Sequence, residues 1–152
     1  MQRRDLLKLA AGAALMPALQ LTAAEPGAPL YFSKEEFAAL DELTEIIIPT
    51  DSHSPGAHAA GVALFIDKTV AEAFLPEDKE SWRKGLAPFL PLTKEQRLGM
   101  LTNLEEKKDP FFGQLKDTTV RAYYTSSIGI HQDIQYLGNT IQEQFSGYEV
   151  TD

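Results

Sequence analysis

Two capping boxes commit this chain to helices. In Ser33-Lys34-Glu35-Glu36 the serine hydroxyl can accept from the amide three residues on, while Glu36 reaches back to the Ser33 amide. Thr93-Lys94-Glu95-Gln96 repeats the arrangement. Behind the first box, Phe37, Leu40, Leu43, Thr44 and Ile47 recur at the three-to-four spacing of one helical face. Ile46-Ile47-Ile48 widens that face, and Pro49 stops it by pushing the preceding residue out of the helical region. The second box opens a helix to about Lys107, with Leu98, Leu101 and Leu104 inside.

The remaining segments follow the same pattern. Thr50 to Ala60 reads as a loop. A second helix is expected from about Gly61 to Phe74, with Val62, Phe65, Ile66, Val70 and Phe74 on one side and Leu75-Pro76 closing it. A third, about Lys79 to Leu90, carries Trp82, Leu86 and Phe89 and is made irregular by Pro88. Asp109-Pro110 starts a fifth, with the aspartate as cap and the proline in the first turn. Its inner face is Phe111, Phe112, Leu115, Thr119, Ala122 and Tyr123. After Tyr124 the text is turn-rich, and residues 140–152 show little periodicity. No strand alternation persists long enough to build a sheet. The expected fold is all-α: a single domain of about five short helices with an irregular C-terminal arm.

Ahead of this domain stands a different text. Arg3-Arg4-Asp5-Leu6-Leu7-Lys8 precedes a bland apolar run from Leu9 to about Leu21. The run is shorter than the roughly 20 residues of a membrane span. It is Ala-rich and interrupted by Pro17. Paired arginines, two leucines and Lys8 resemble a Tat-type signal, the export route that carries folded cargo. Thr22-Ala23-Ala24 offers small residues for a signal peptidase. Residues 1–24 are therefore expected to be a Tat-type signal peptide and 25–152 an all-helical domain, the cut falling at or within a residue or two of Glu25. The competing reading is a general secretory signal in which Arg3-Arg4 is incidental. The departures from the Tat pattern are Gln2, where Ser or Thr is usual, and Leu6, where Phe is usual.

Charge and cysteine usage narrow the function. Arg3, Arg4 and Lys8 against Asp5 leave the leader at +2, so a whole-chain charge of −8 puts the rest near −10. Such a domain is repelled by phosphate backbones, which disfavours nucleic acid and anionic membrane surfaces as partners. The chain has no cysteine. Disulfides, thiolate catalysis, c-type haem attachment and cysteine-held iron–sulfur clusters are thereby excluded.

Few residues suggest chemistry. Asp51, His53 and His58 in the first long loop have metal-ligand character, but their spacing matches no compact site, and a Ser/Pro/Gly loop normally leaves such groups solvated. His131 near Asp133 reads as a surface pair or core hydrogen bond rather than a dyad. No serine sits in a nucleophile elbow, and there is no dinucleotide or phosphate-binding glycine pattern. Phe111-Phe112 and Tyr123-Tyr124 flank one helix, and helix neighbours point about 100° apart. Either one of each pair is core and the other half exposed, or the outward members join Tyr136 and Tyr148 in an apolar contact surface for another protein.

The order of several short strings resembles the gluconate 2-dehydrogenase subunit 3 family, the small subunit of membrane-bound FAD-dependent sugar and sugar-acid dehydrogenases. These are Arg3-Arg4, the helix from Phe37 closed by Ile48-Pro49-Thr50-Asp51, Pro55-Gly56-Ala57, and Ala60-Gly61-Val62 leading to Phe65-Ile66-Asp67. Further on come Phe111-Phe112-Gly113-Gln114-Leu115-Lys116, Tyr123-Tyr124-Thr125-Ser126 with Gly129, and Tyr136-Leu137-Gly138-Asn139. Ser127 departs from the pattern, which has Pro there. The resemblance implies a non-catalytic subunit that binds no cofactor itself. It implies FAD in a flavoprotein dehydrogenase subunit, haem c in a multihaem cytochrome c subunit, and export of the flavoprotein through the Tat translocase on this chain's signal. It also implies a periplasmic location at the inner-membrane face. Two other classes stay open: a stand-alone periplasmic metal-binding protein or enzyme using Asp51, His53 and His58, and an independent periplasmic binding domain.

Overall fold

The computed structural model describes residues 28–138, so Arg3, Arg4, Lys8 and Tyr148 lie outside the described part. Five α-helices run in order: α1 Lys34–Ile47, α2 Val62–Glu72, α3 Pro76–Leu86, α4 Lys94–Glu106 and α5 Pro110–Tyr124. A 3-10 turn, Ala87–Phe89, extends α3, and a π-helical turn, Gly129–Asp133, follows α5. There is no strand among the described residues, and no described helix is long and apolar enough to cross a membrane.

The helix starts form as their residues dictate. At α1 the Glu36 amide donates to Ser33 Oγ at 3.1 Å and the Ser33 amide to Glu36 Oε2 at 2.8 Å. At α4 the Thr93 amide donates to Gln96 Oε1 at 2.9 Å and the Gln96 amide to Thr93 Oγ1 at 3.4 Å. Asp109 caps α5 through the Phe111 amide at 2.9 Å. Each cap satisfies amides that the first helical turn leaves without partners.

Helix α1 lies against all four other helices, and α2 packs chiefly on α5 and α1. Leu40, Leu43, Ile66, Leu86, Phe89, Leu115 and Tyr123 are fully buried where these faces meet. Each such side chain contributes about 1.5–3 kcal/mol by leaving water. At Gly85 the α3 backbone comes so close to α5 that an added Cβ would stand 2.0 Å from the Phe111 ring.

Three sequence expectations are corrected. Pro76 does not close a helix; it opens α3 at the first helical position, where its missing amide costs nothing. Phe65 and Phe74 are not core residues. The buried arc of α2 is Val62, Ala63, Ile66, Asp67 and Val70, which leaves Phe65 on the far side, 42% exposed. Phe74 lies beyond the end of α2, so the helical period no longer orients it, and it is 95% exposed. Leu98 is also exposed: Leu98 and Leu104 flank Leu101 by about 60° each, and only the Leu104 side packs on the core.

The least expected member of the buried arc is Asp67, 1% exposed. Its carboxylate accepts the amides of Leu30 at 2.5 Å, Tyr31 at 3.0 Å and Phe32 at 3.0 Å. The bent strap 30–32 is thereby stitched to α2. Tyr31 continues the stitching to α3: its hydroxyl donates to the Lys79 carbonyl at 3.2 Å, and the Arg83 guanidinium lies 4.3 Å from its ring centre and donates to its carbonyl. Asp67→Ala leaves three amides unsatisfied and is expected to cost about 3 kcal/mol. Urea unfolding measures this, and a loss below about 0.5 kcal/mol would contradict the clamp.

Candidate functional site

The loop between α1 and α2 holds most of the polar side chains that the sequence singles out. Its organiser is Glu45, on the last turn of α1. Glu45 Oε1 accepts from the Thr50 amide and hydroxyl, both at 2.9 Å, and Oε2 from the His58 amide at 2.8 Å. Thr50 Oγ1 then accepts the Gly56 amide at 2.9 Å. Position 56 has room only for glycine, since a Cβ there would stand 2.5 Å from both Glu45 carboxylate oxygens. Partial burial would raise the Glu45 pKa, but the His58 and Thr50 amides, the Thr50 hydroxyl and the nearby imidazole outweigh it and hold the pKa below its ordinary value.

The far side of the loop is fastened to α5. Tyr123 is buried and donates to the Pro55 carbonyl at 2.7 Å, while Ser54 Oγ sits 2.5 Å from the Tyr123 oxygen. Ser54 Oγ also lies within donating distance of the Pro55 carbonyl, at 3.2 Å, so the two hydroxyls and that carbonyl form one hydrogen-bonded cluster. Gly129 closes the other end of Tyr123: a Cβ there would meet its carbonyl oxygen at 2.2 Å.

The metal-ligand candidates are not brought together. Asp51 turns back on its own loop and accepts the His53 amide at 2.7 Å and the Ser54 amide at 2.9 Å. Those amides, Ser54 first, lower its pKa. His58 leaves the loop to meet Asp41 of α1, Nδ1 to Oδ2 at 2.5 Å. Among the described residues, no three His, Asp or Glu groups are placed to share a metal ion.

The aromatic docking candidates divide. Tyr123 is the inner member of its pair and belongs to the core, 1% exposed. Phe111 and Phe112 are half-buried; Phe111 packs edge-on to Trp82 at 5.9 Å, and Lys116 lies 5.5 Å from the Phe112 ring centre. Tyr124 and Tyr136 are exposed. Tyr124 donates its hydroxyl to Asp133, which pushes the phenol above its ordinary pKa. His131 Nδ1 lies 3.3 Å from the Tyr136 carbonyl rather than pairing with Asp133. Asp67 and Glu45 escaped sequence reading because an isolated carboxylate on a helix carries no pattern; only the neighbouring Phe65-Ile66 string hinted at Asp67.

The described part is thus a small helical domain in which Asp67, Glu45 and Asp51 are engaged by its own backbone amides. A family model described as gluconate 2-dehydrogenase subunit 3 matches residues 34–140, and the chain belongs to that family, whose members are subunits of a dehydrogenase complex. No curated protein matches the chain, and no solved structure matches it.

Two outcomes follow from the loop. The depressed Glu45 pKa means that its contribution is full above the ordinary value of 4.5 and is lost as pH falls through the lowered folded value. Wild type should therefore lose more stability than Glu45→Gln between pH 6 and pH 3, read as urea midpoints; parallel losses would refute the assignment. Tyr123→Phe removes the bridge to residues 54 and 55 and should cost about 1–2 kcal/mol with helicity by circular dichroism unchanged.

Proposed function

We propose that this chain is the non-catalytic small subunit of a periplasmic FAD-dependent dehydrogenase of the gluconate, glucose or polyol type. It assists folding of the flavoprotein subunit and carries it across the membrane on the Tat-type leader of residues 1–24. The observation that carries this reading is the family match over residues 34–140 behind a leader with Arg3-Arg4 and Lys8. In this reading the flavoprotein oxidises the sugar or sugar acid with its own FAD. A multihaem cytochrome c subunit passes the electrons on at the inner-membrane face, and this chain contributes surfaces.

The engagement of the polar groups supports the same role. Asp67, Glu45 and Asp51 each hold backbone amides, and His58 is bound to Asp41. Groups committed in this way hold the strap and the loop in a fixed shape. The metal-binding alternative gains no geometric support from Asp51, His53 and His58.

Lysine at both Arg3 and Arg4 should leave this chain and the flavoprotein together in the cytoplasm, measured by fractionation and dehydrogenase activity in the periplasm. Normal periplasmic activity in that variant, or in a strain lacking the chain, would overturn the escort role.

A further inference from the structure

We propose that the groove between α2, α3 and α5 is where the flavoprotein subunit docks, taking an apolar side chain of that partner flanked by one acidic and one basic group. The inference rests on the function proposed above and assigns its contact face.

The groove lies over Val70 and Trp82, 3% and 5% exposed, and its accessible apolar surface comes mainly from Phe65 in its wall, 42% exposed. Its volume, about 240 Å³, falls below the roughly 300–1,000 Å³ of typical small-molecule pockets and suits a protein side chain. Ala73, also in the wall, is followed directly by Phe74, 95% exposed, and Leu75, 45% exposed. Single exposed apolar residues are ordinary, but a continuous apolar stretch beside a concavity marks a contact surface.

Charge specifies the occupant. Asp78 and Arg121 both line the groove, and neither side chain has a hydrogen bond or ion pair among the described residues. The other two described arginines are engaged: Arg83 with Glu36 and the Tyr31 carbonyl, Arg97 with Glu42 and the Phe89 carbonyl. An unengaged guanidinium beside an apolar wall fits a carboxylate, which it can hold through two parallel hydrogen bonds. Asp78, also lining the groove, fits a lysine or arginine. An apolar anchor with a charge of each sign beside it is a protein surface.

The test co-expresses the full chain with the flavoprotein subunit of its own complex and measures their affinity after purification. Phe74→Glu and Arg121→Glu should each weaken binding about tenfold or more, while Arg121→Lys retains part of it. Leu98→Glu, on an exposed α4 position outside the groove, should bind as wild type does. Unchanged helicity shows that each variant is folded. If wild type binds and both groove variants bind equally well, the groove assignment fails and the subunit role stands. If wild type does not bind the flavoprotein, the subunit role fails, and the groove assignment with it. Sedimentation gives one further outcome: a wild-type dimer made monomeric by Phe74→Glu would show a second copy as occupant and overturn the proposal.

Discussion

A carboxylate buried among three amides governs how this domain begins. Isolated charge in a protein interior is strongly unfavourable, and Asp67 is tolerated because the Leu30, Tyr31 and Phe32 amides surround it. The consequences spread outward. With the strap fixed, Phe32 is buried and the Tyr31 ring faces the Arg83 guanidinium. Arg83 Nε in turn lies 3.6 Å from Glu36, the residue that closes the α1 capping box. One side chain on α2 is therefore linked, through the strap and Arg83, to the first turn of α1 and to α3.

The loop after α1 repeats this logic on the surface. Glu45 gathers the ends of a segment rich in serine, proline and glycine, and Tyr123 ties its middle to α5. A loop of this composition would otherwise sample many conformations, and ordering it opposes folding. Three hydrogen bonds to Glu45, with a glycine under its carboxylate, offset that loss and give the loop a definite shape. The groove differs from this loop, because its rim charges, Asp78 and Arg121, have no side-chain partner among the described residues.

What could be read in the sequence was local. Capping boxes at Ser33 and Thr93 and the Asp109-Pro110 start depend on residues three apart or fewer, and the structure forms all three as expected. The Leu40–Leu43 and Leu115–Tyr123 faces were legible because long amphipathic helices repeat their signal over several turns. Failures came where one turn had to decide. Pro76 can end one helix or begin the next, and only the tertiary course of the chain chooses. Phe74 sits past the point where periodicity holds. Asp67 and Glu45 act across 37 and 13 residues respectively, distances at which sequence carries no phase. The aromatic pairs were half legible: Tyr123 as the inner member followed from helical geometry, but its hydroxyl partners in the loop did not.

The Asp67 clamp also sets what the strap can vary. The carboxylate touches backbone amides alone, so it reads no side-chain identity at positions 30, 31 and 32. What it requires is an N–H at each, and proline is the one residue that lacks it. Pro29 stands immediately before this window and Pro26 three residues earlier, and none stands within it. The boundary between a region free to accumulate proline and one closed to it falls at residue 30, drawn by an aspartate on another helix.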